Sequence, residues 1–122
     1  MPKILIIDDD EVQLSLLQTV LSDQGYTLYS TADGPQGVEL FKTHHPDLVL
    51  LDIGLPSISG IEVMKQVREI DGKAKIIVIT GYASVESAVH AIREGAWDYI
   101  RKPYNLQELA RKVDSALSIV KK

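Results

Sequence analysis

Three apolar runs in this chain each end in side chains that could do chemistry. Ile4-Leu5-Ile6-Ile7 leads into Asp8-Asp9-Asp10, Leu48-Val49-Leu50-Leu51 into Asp52, and Ile76-Ile77-Val78-Ile79 into Thr80, while a more polar run, Asp98 to Arg101, leads into Lys102-Pro103. If these runs are strands pointing the same way in one sheet, all of these polar groups gather at one edge. Asp8, Asp9 and Asp52 then crowd like charges at a partly buried place, which raises at least one carboxylate pKa unless a cation neutralises them. Oxygen ligands without histidine or cysteine favour a hard divalent ion, and Mg²⁺ is the ion they suit. An ion held by carboxylates, with waters left over, can coordinate a phosphoryl oxygen while an ammonium balances a second and a hydroxyl hydrogen-bonds a third. Lys102 and Thr80 fit those two roles. A carboxylate can also attack a phosphoryl group to give an acyl phosphate, and Asp52, in mid-sheet, is placed to be that nucleophile.

The elements that must position these residues are legible from hydrophobic pattern. The three runs are apolar at every position, as expected of central strands covered by helices on both faces of a parallel sheet. Thr27 to Thr31 and Asp98 to Arg101 mix polar and aromatic residues and suit the sheet edges. Helix starts are signalled by Asp10 with Gln13, Asp33 with Gln36, Ser59 with Glu62 and Asn105 with Glu108, each spaced as a capping box. Leu106, Leu109, Ala110, Val113 and Leu117 line one face of the last helix. The order is (βα)₅, and right-handed crossovers make it a doubly wound α/β sandwich. With the three apolar runs central, the simplest five-stranded parallel sheet has the order 2-1-3-4-5, which reverses direction between the first and third strands, where ligands bind in such folds.

Composition narrows the function classes. At 122 residues, with 45% hydrophobic and 25% charged residues, the chain reads as one globular domain over 1–122. The absence of cysteine removes disulfide scaffolds, thiol catalysis and iron–sulfur ligation, and suits a cytoplasmic location. The N-terminal apolar run is too short for a signal peptide, and no stretch is long enough for a membrane span. The net charge is −4, and residues 1–60 carry 2 basic against 9 acidic side chains. That sign argues against direct nucleic-acid binding.

In order and spacing, the segments Ile4 to Asp10, Leu50 to Pro56, Ile79 to Gly81 and Tyr99 to Pro103 resemble the receiver domain of two-component response regulators, over essentially the whole chain. The resemblance implies the flavodoxin-like fold, a phosphoryl group accepted on Asp52 from a histidine kinase or histidine phosphotransfer protein, and Mg²⁺-dependent self-phosphorylation and self-dephosphorylation. It implies a metal pocket of Asp8, Asp9, Asp52 and the Gly54 backbone carbonyl, phosphoryl contacts from Thr80 and Lys102, a cis Lys102-Pro103 bond, and Tyr99 as the switch aromatic. Thr80 to Ala88 is similar to receivers of enhancer-binding transcription regulators, although Gly81 replaces the common Ala or Ser. Gly54 and Tyr82 occupy variable positions that influence hydrolysis of the phosphoryl group. The implied partners are an output domain or protein, and a second copy through the face of the fourth helix, fifth strand and fifth helix, with Arg93, Trp97 and Arg101 as candidate contacts.

Each residue alone has a plainer reading. Asp9 or Asp10 could simply cap the first helix, Asp52 could be a loop acid, and Lys102 a solvated lysine. It is their common register that points to one site. His44 and His45, in a helix-to-strand loop, and His90, within a helix, stand apart from the acidic cluster. Two rival functions use the same residues: a haloacid-dehalogenase-like phosphatase with Asp8 as nucleophile and Asp10 beside it, and a flavodoxin-like nucleotide binder. The first expects a longer chain with an acidic pair after the lysine; the second expects a Gly-rich or Ser/Thr-rich loop after Ile7, and neither feature is present.

Overall fold

The computed structural model describes residues 2–52, 60–81, 85–102 and 104–120, with side chains throughout except at 80, 85–88 and 119–120. Gly54, Ser59, Tyr82 and Pro103, and with the last the peptide bond joining it to Lys102, lie outside the described residues, as does the Thr80 side chain. Strands and helices alternate as β1 (Lys3–Ile7), α1 (Glu11–Asp23), β2 (Thr27–Thr31), α2 (Gly34–His44), β3 (Leu48–Asp52), α3 (Gly60–Ile70), β4 (Ile76–Thr80), α4 (Val85–Arg93), β5 (Asp98–Arg101) and α5 (Leu106–Val120). All strand pairs are parallel and the sheet order is β2-β1-β3-β4-β5.

The continuous apolar runs follow from burial on both faces. In a strand successive side chains point to opposite faces. Leu5, Ile7, Val49, Leu51, Ile76 and Val78 pack with Val38 and Phe41 of α2, Val63, Met64 and Val67 of α3, and Ala91 of α4. Ile4, Ile6, Leu48, Leu50, Ile77, Ile79 and Ile100 pack with Leu17 and Leu21 of α1 and Leu109, Val113, Ala116 and Leu117 of α5. Two apolar layers therefore clamp one sheet.

Three expectations are refined. At two helix starts only half of the capping box forms. Asp10 accepts from the Val12 and Gln13 amides and Asp33 from that of Gln36, but the Asp10 and Asp33 amides donate elsewhere, to Asp8 Oδ1 and Thr31 Oγ1. His44 is the last residue of α2 rather than a loop residue, and His45 caps the helix in a left-handed conformation, φ 47°, before Pro46. β3 and β4 run one residue past their apolar segments, to Asp52 and Thr80, because ladder hydrogen bonds need only backbone.

The end of α4 is fastened by a contact that requires glycine. Gly95 has φ +108°, and Arg68 of α3 lies against it, its Nη1 donating to the carbonyls of Gly95 at 3.2 Å and Ala74 at 3.3 Å. A Cβ at Gly95 would stand 2.8 Å from Arg68 Cδ, whereas one at Gly72 would meet nothing nearer than 4.0 Å. Gly95→Ala is expected to cost about 1–3 kcal/mol of stability, and Gly72→Ala little by comparison. Urea unfolding of the two variants beside wild type measures the difference.

Candidate functional site

The site forms where the sheet order turns around, at the carboxyl ends of β1, β3, β4 and β5. Asp8 directly follows β1, is 1% exposed, and is pinned at its backbone by donating to the Thr31 carbonyl at 3.1 Å. Its Oδ1 accepts from the Asp10 amide at 2.9 Å and its Oδ2 from Lys102 Nζ at 3.2 Å. Asp52, the last residue of β3 and also buried, accepts from the same ammonium at 3.1 Å through Oδ2. Asp9 is exposed beside them, and one carboxylate oxygen from each of Asp8, Asp9 and Asp52 lies within 4.8 Å of the others. Sheet register supplies the rest of the edge. Asp52 is level with Ile79, so Thr80 comes next along β4, and Thr80 is level with Arg101, which precedes Lys102.

Electrostatics follow from burying two acids around one base. Burial pushes the Asp8 carboxyl above the ordinary carboxylate value; the Asp10 amide and the Lys102 charge pull it back, and the Asp52 charge adds to the rise. Burial works against the Lys102 ammonium, but the Asp52 and Asp8 carboxylates outweigh it and hold its pKa above that of a free lysine. Three oxygen donors of this kind suit a hard cation such as Mg²⁺.

The sequence pattern names Asp8, Asp9, Asp52 and Lys102, which lie together in the structure, and Thr80, whose backbone is next along β4. It missed Tyr104 and Gln13. Tyr104 donates its hydroxyl hydrogen bond to Gln13 Oε1 of α1, packs against the α1/α5 layer, and has its phenol pushed up to about 12 by burial and then by the Asp8 charge. Their pairing spans 91 residues, and no local motif signals it. Tyr99 on β5 is 36% exposed and Trp97 42%, with Lys75 Nζ 4.7 Å above the Trp97 ring centroid. His90 is exposed, near Glu94 at 3.5 Å, and the three histidines take no part in the acidic cluster.

The family model for the response regulator receiver domain matches residues 4–114. The chain belongs to that family. It is 39% identical to the regulatory protein AtoC of Escherichia coli over 96% of this chain and 25% of that protein. It spans about half the length of other curated relatives it matches. Among solved structures, a CheY-like receiver domain protein from Methanospirillum hungatei superposes with a TM-score of 0.93 at 33% identity, covering 97% of this chain and 94% of that one. The response regulator TrrA of Thermotoga maritima, solved in complex with Mg²⁺–BeF, superposes at 0.86 with 35% identity, covering 96% and 100%. The haloacid-dehalogenase-like alternative is not favoured, and the Asp10 carboxylate it would need is engaged in capping α1. Among the described residues no helix is long and apolar enough to cross a membrane.

Because the folded-state pKa of Asp8 is raised, its protonated form favours folding: that contribution is present below the ordinary aspartate value and is lost as pH rises through the folded value. Asp8→Asn is therefore expected to melt higher than wild type at neutral pH, with the gap narrowing toward about pH 4. Millimolar Mg²⁺ is expected to raise the melting temperature of wild type and to do so less for Asp8→Asn. Thermal melts at the two pH values, with and without Mg²⁺, check both.

Proposed function

We propose that this receiver is a signalling switch that takes a phosphoryl group from a histidine kinase, or from a histidine phosphotransfer protein, onto Asp52. The observation that carries the reading is the Lys102 ammonium held between the buried carboxylates of Asp52 and Asp8, at 3.1 and 3.2 Å, on the open edge of the sheet. A carboxylate oxygen of Asp52 attacks phosphorus as the P–N bond to the donor imidazole breaks; the imidazole leaves with that electron pair and takes up a proton. The product is an acyl phosphate on Asp52. Lys102 Nζ, already aimed at Asp52, balances the charge of the phosphoryl oxygens, and Thr80, level with Arg101, offers its hydroxyl as a donor. Asp8, Asp9, Asp52 and the Gly54 carbonyl would hold Mg²⁺, which supplies positive charge to the transferring group. Attack of water on phosphorus then breaks the P–O bond, releases inorganic phosphate and restores the Asp52 carboxylate.

The surface supports a donor on one side and a reader on the other. Val12 and Leu16 of α1 are exposed, and Leu16 shares a cleft with Lys102, so an apolar donor surface can seat there. Val89 and Ile92 of α4, Trp97 just before β5 and Tyr99 on it are also exposed, and in this reading they make the apolar patch that a partner meets. Movement of Thr80 toward phospho-Asp52 would draw Tyr99 inward and remodel this patch, with Arg93, Trp97 and Arg101 as contacts for an output domain or a second copy. A coupling of about 1–3 kcal/mol suffices to change partner affinity about 5- to 150-fold. The acidic balance of the chain leaves nucleic-acid contact to another domain or partner.

Intact mass after incubation with acetyl phosphate and Mg²⁺ is expected to show one added phosphoryl group, absent in Asp52→Asn. Lys102→Arg is expected to stay folded and label more slowly, since a planar guanidinium cannot replace a compact ammonium between two carboxylates. Full labelling of Asp52→Asn would contradict the assignment. For the switch, Thr80→Ala is expected to accept the phosphoryl group yet to lose the amide shift changes that beryllofluoride produces across residues 84–104. Shifts equal to those of wild type would sever Thr80 from the signal.

A further inference from the structure

Lys102 extends a flexible four-carbon stem over an open cleft. That cleft, about 420 Å³, is lined by Gln13, Leu16, Lys102, Tyr104 and Leu106, so the ammonium has room to swing away from the carboxylates. A chain of contacts opposes this. Asp8 Oδ1 accepts from the Asp10 amide; Asp10 Oδ1 accepts from the Val12 and Gln13 amides, starting α1. Gln13 Oε1 accepts from the Tyr104 hydroxyl, Tyr104 lies two residues from Lys102, and Lys102 Nζ returns to Asp8 Oδ2. Both oxygens of Asp8 thus take part in these contacts, and the Tyr104–Gln13 hydrogen bond ties α1 to the segment after β5.

We infer that Tyr104 and Gln13 are a positioning pair that holds Lys102 over Asp8 and Asp52, and so sets the rate at which the site handles a phosphoryl group. Neither touches the reacting atoms. Tyr104 also packs its ring against the α1/α5 layer, so removing the hydroxyl alone separates positioning from packing. The kinetic part of the inference rests on the phosphoryl-transfer reading above; the position of Lys102 does not.

The test uses Tyr104→Phe, Gln13→Leu and the double variant, with two readouts. In the first, the ¹⁵N signal of the Lys102 ammonium, identified by its loss in Lys102→Arg, is recorded without any phosphodonor. It is expected to move toward the signals of free lysines in all three variants, while the melting temperature of Tyr104→Phe stays close to that of wild type. In the second, labelling by acetyl phosphate with Mg²⁺ is expected to slow about 2- to 10-fold in each single variant, the effect of losing one hydrogen bond. The double variant is expected to be no slower than the slower single, because both remove the same link. An unmoved Lys102 signal in Tyr104→Phe overturns the inference whatever the kinetics. Slowing in the double variant equal to the product of the singles also overturns it. If wild type takes no phosphoryl group the function proposed for Asp52 fails, and the ammonium signal still decides the positioning role.

Discussion

One ammonium shared by two buried carboxylates is the constraint on which the functional edge of this fold depends. Asp8 and Asp52 sit side by side at the ends of neighbouring strands, and taking ionised carboxylates out of water costs several kcal/mol each unless they are paired. Lys102, itself only 21% exposed at its side chain, meets both. Its charge offsets the repulsion between the two carboxylates, and the exposed Asp9 stands beside them, one carboxylate oxygen of each lying within 4.8 Å of the others. The same pairing gathers in one place the groups on which the proposed phosphoryl transfer depends.

The rest of the architecture can be read as support for that meeting. Parallel strands bring four carboxyl ends to one edge, and the 2-1-3-4-5 order puts β1 and β3 side by side, so that Asp8 and Asp52 become neighbours although 44 residues apart. Two apolar layers hold the sheet rigid beneath them. Rigidity matters because a bridging ammonium has a narrow choice of positions, and a strand end displaced by an ångström would break one of its two contacts. Helix α4, by contrast, is fastened at its C-terminal end by Arg68 and exposes Val89 and Ile92.

Much of this was legible in the sequence because its causes are local or periodic. Burial of both faces makes Ile4 to Ile7, Leu48 to Leu51 and Ile76 to Ile79 continuously apolar, and polar residues mark where each strand leaves the core. The edge strands β2 and β5 announced themselves by their mixture of polar and aromatic residues. What escaped the sequence depends on distant partners. The Asp10 and Asp33 amides turn to Asp8 and Thr31 instead of closing capping boxes, because those acceptors are supplied by tertiary structure. Gln13 and Tyr104 are unremarkable in their own segments and acquire a role only once α1 and the segment after β5 meet. Lys102 was expected at the site as a phosphoryl ligand, whereas its position between two carboxylates emerges only from the folded geometry.

That the Lys102 ammonium offsets the charges of the Asp8 and Asp52 carboxylates is tested most directly by the stability of Lys102→Met measured with and without Mg²⁺. Methionine keeps most of the stem's packing and removes the charge. Without Mg²⁺ the variant should unfold at distinctly lower urea concentration than wild type, and Mg²⁺ should restore more stability to it than it adds to wild type, because the ion then supplies the positive charge that Lys102 gave. Equal stability of the two proteins without Mg²⁺, together with an equal response to the ion, would contradict the account.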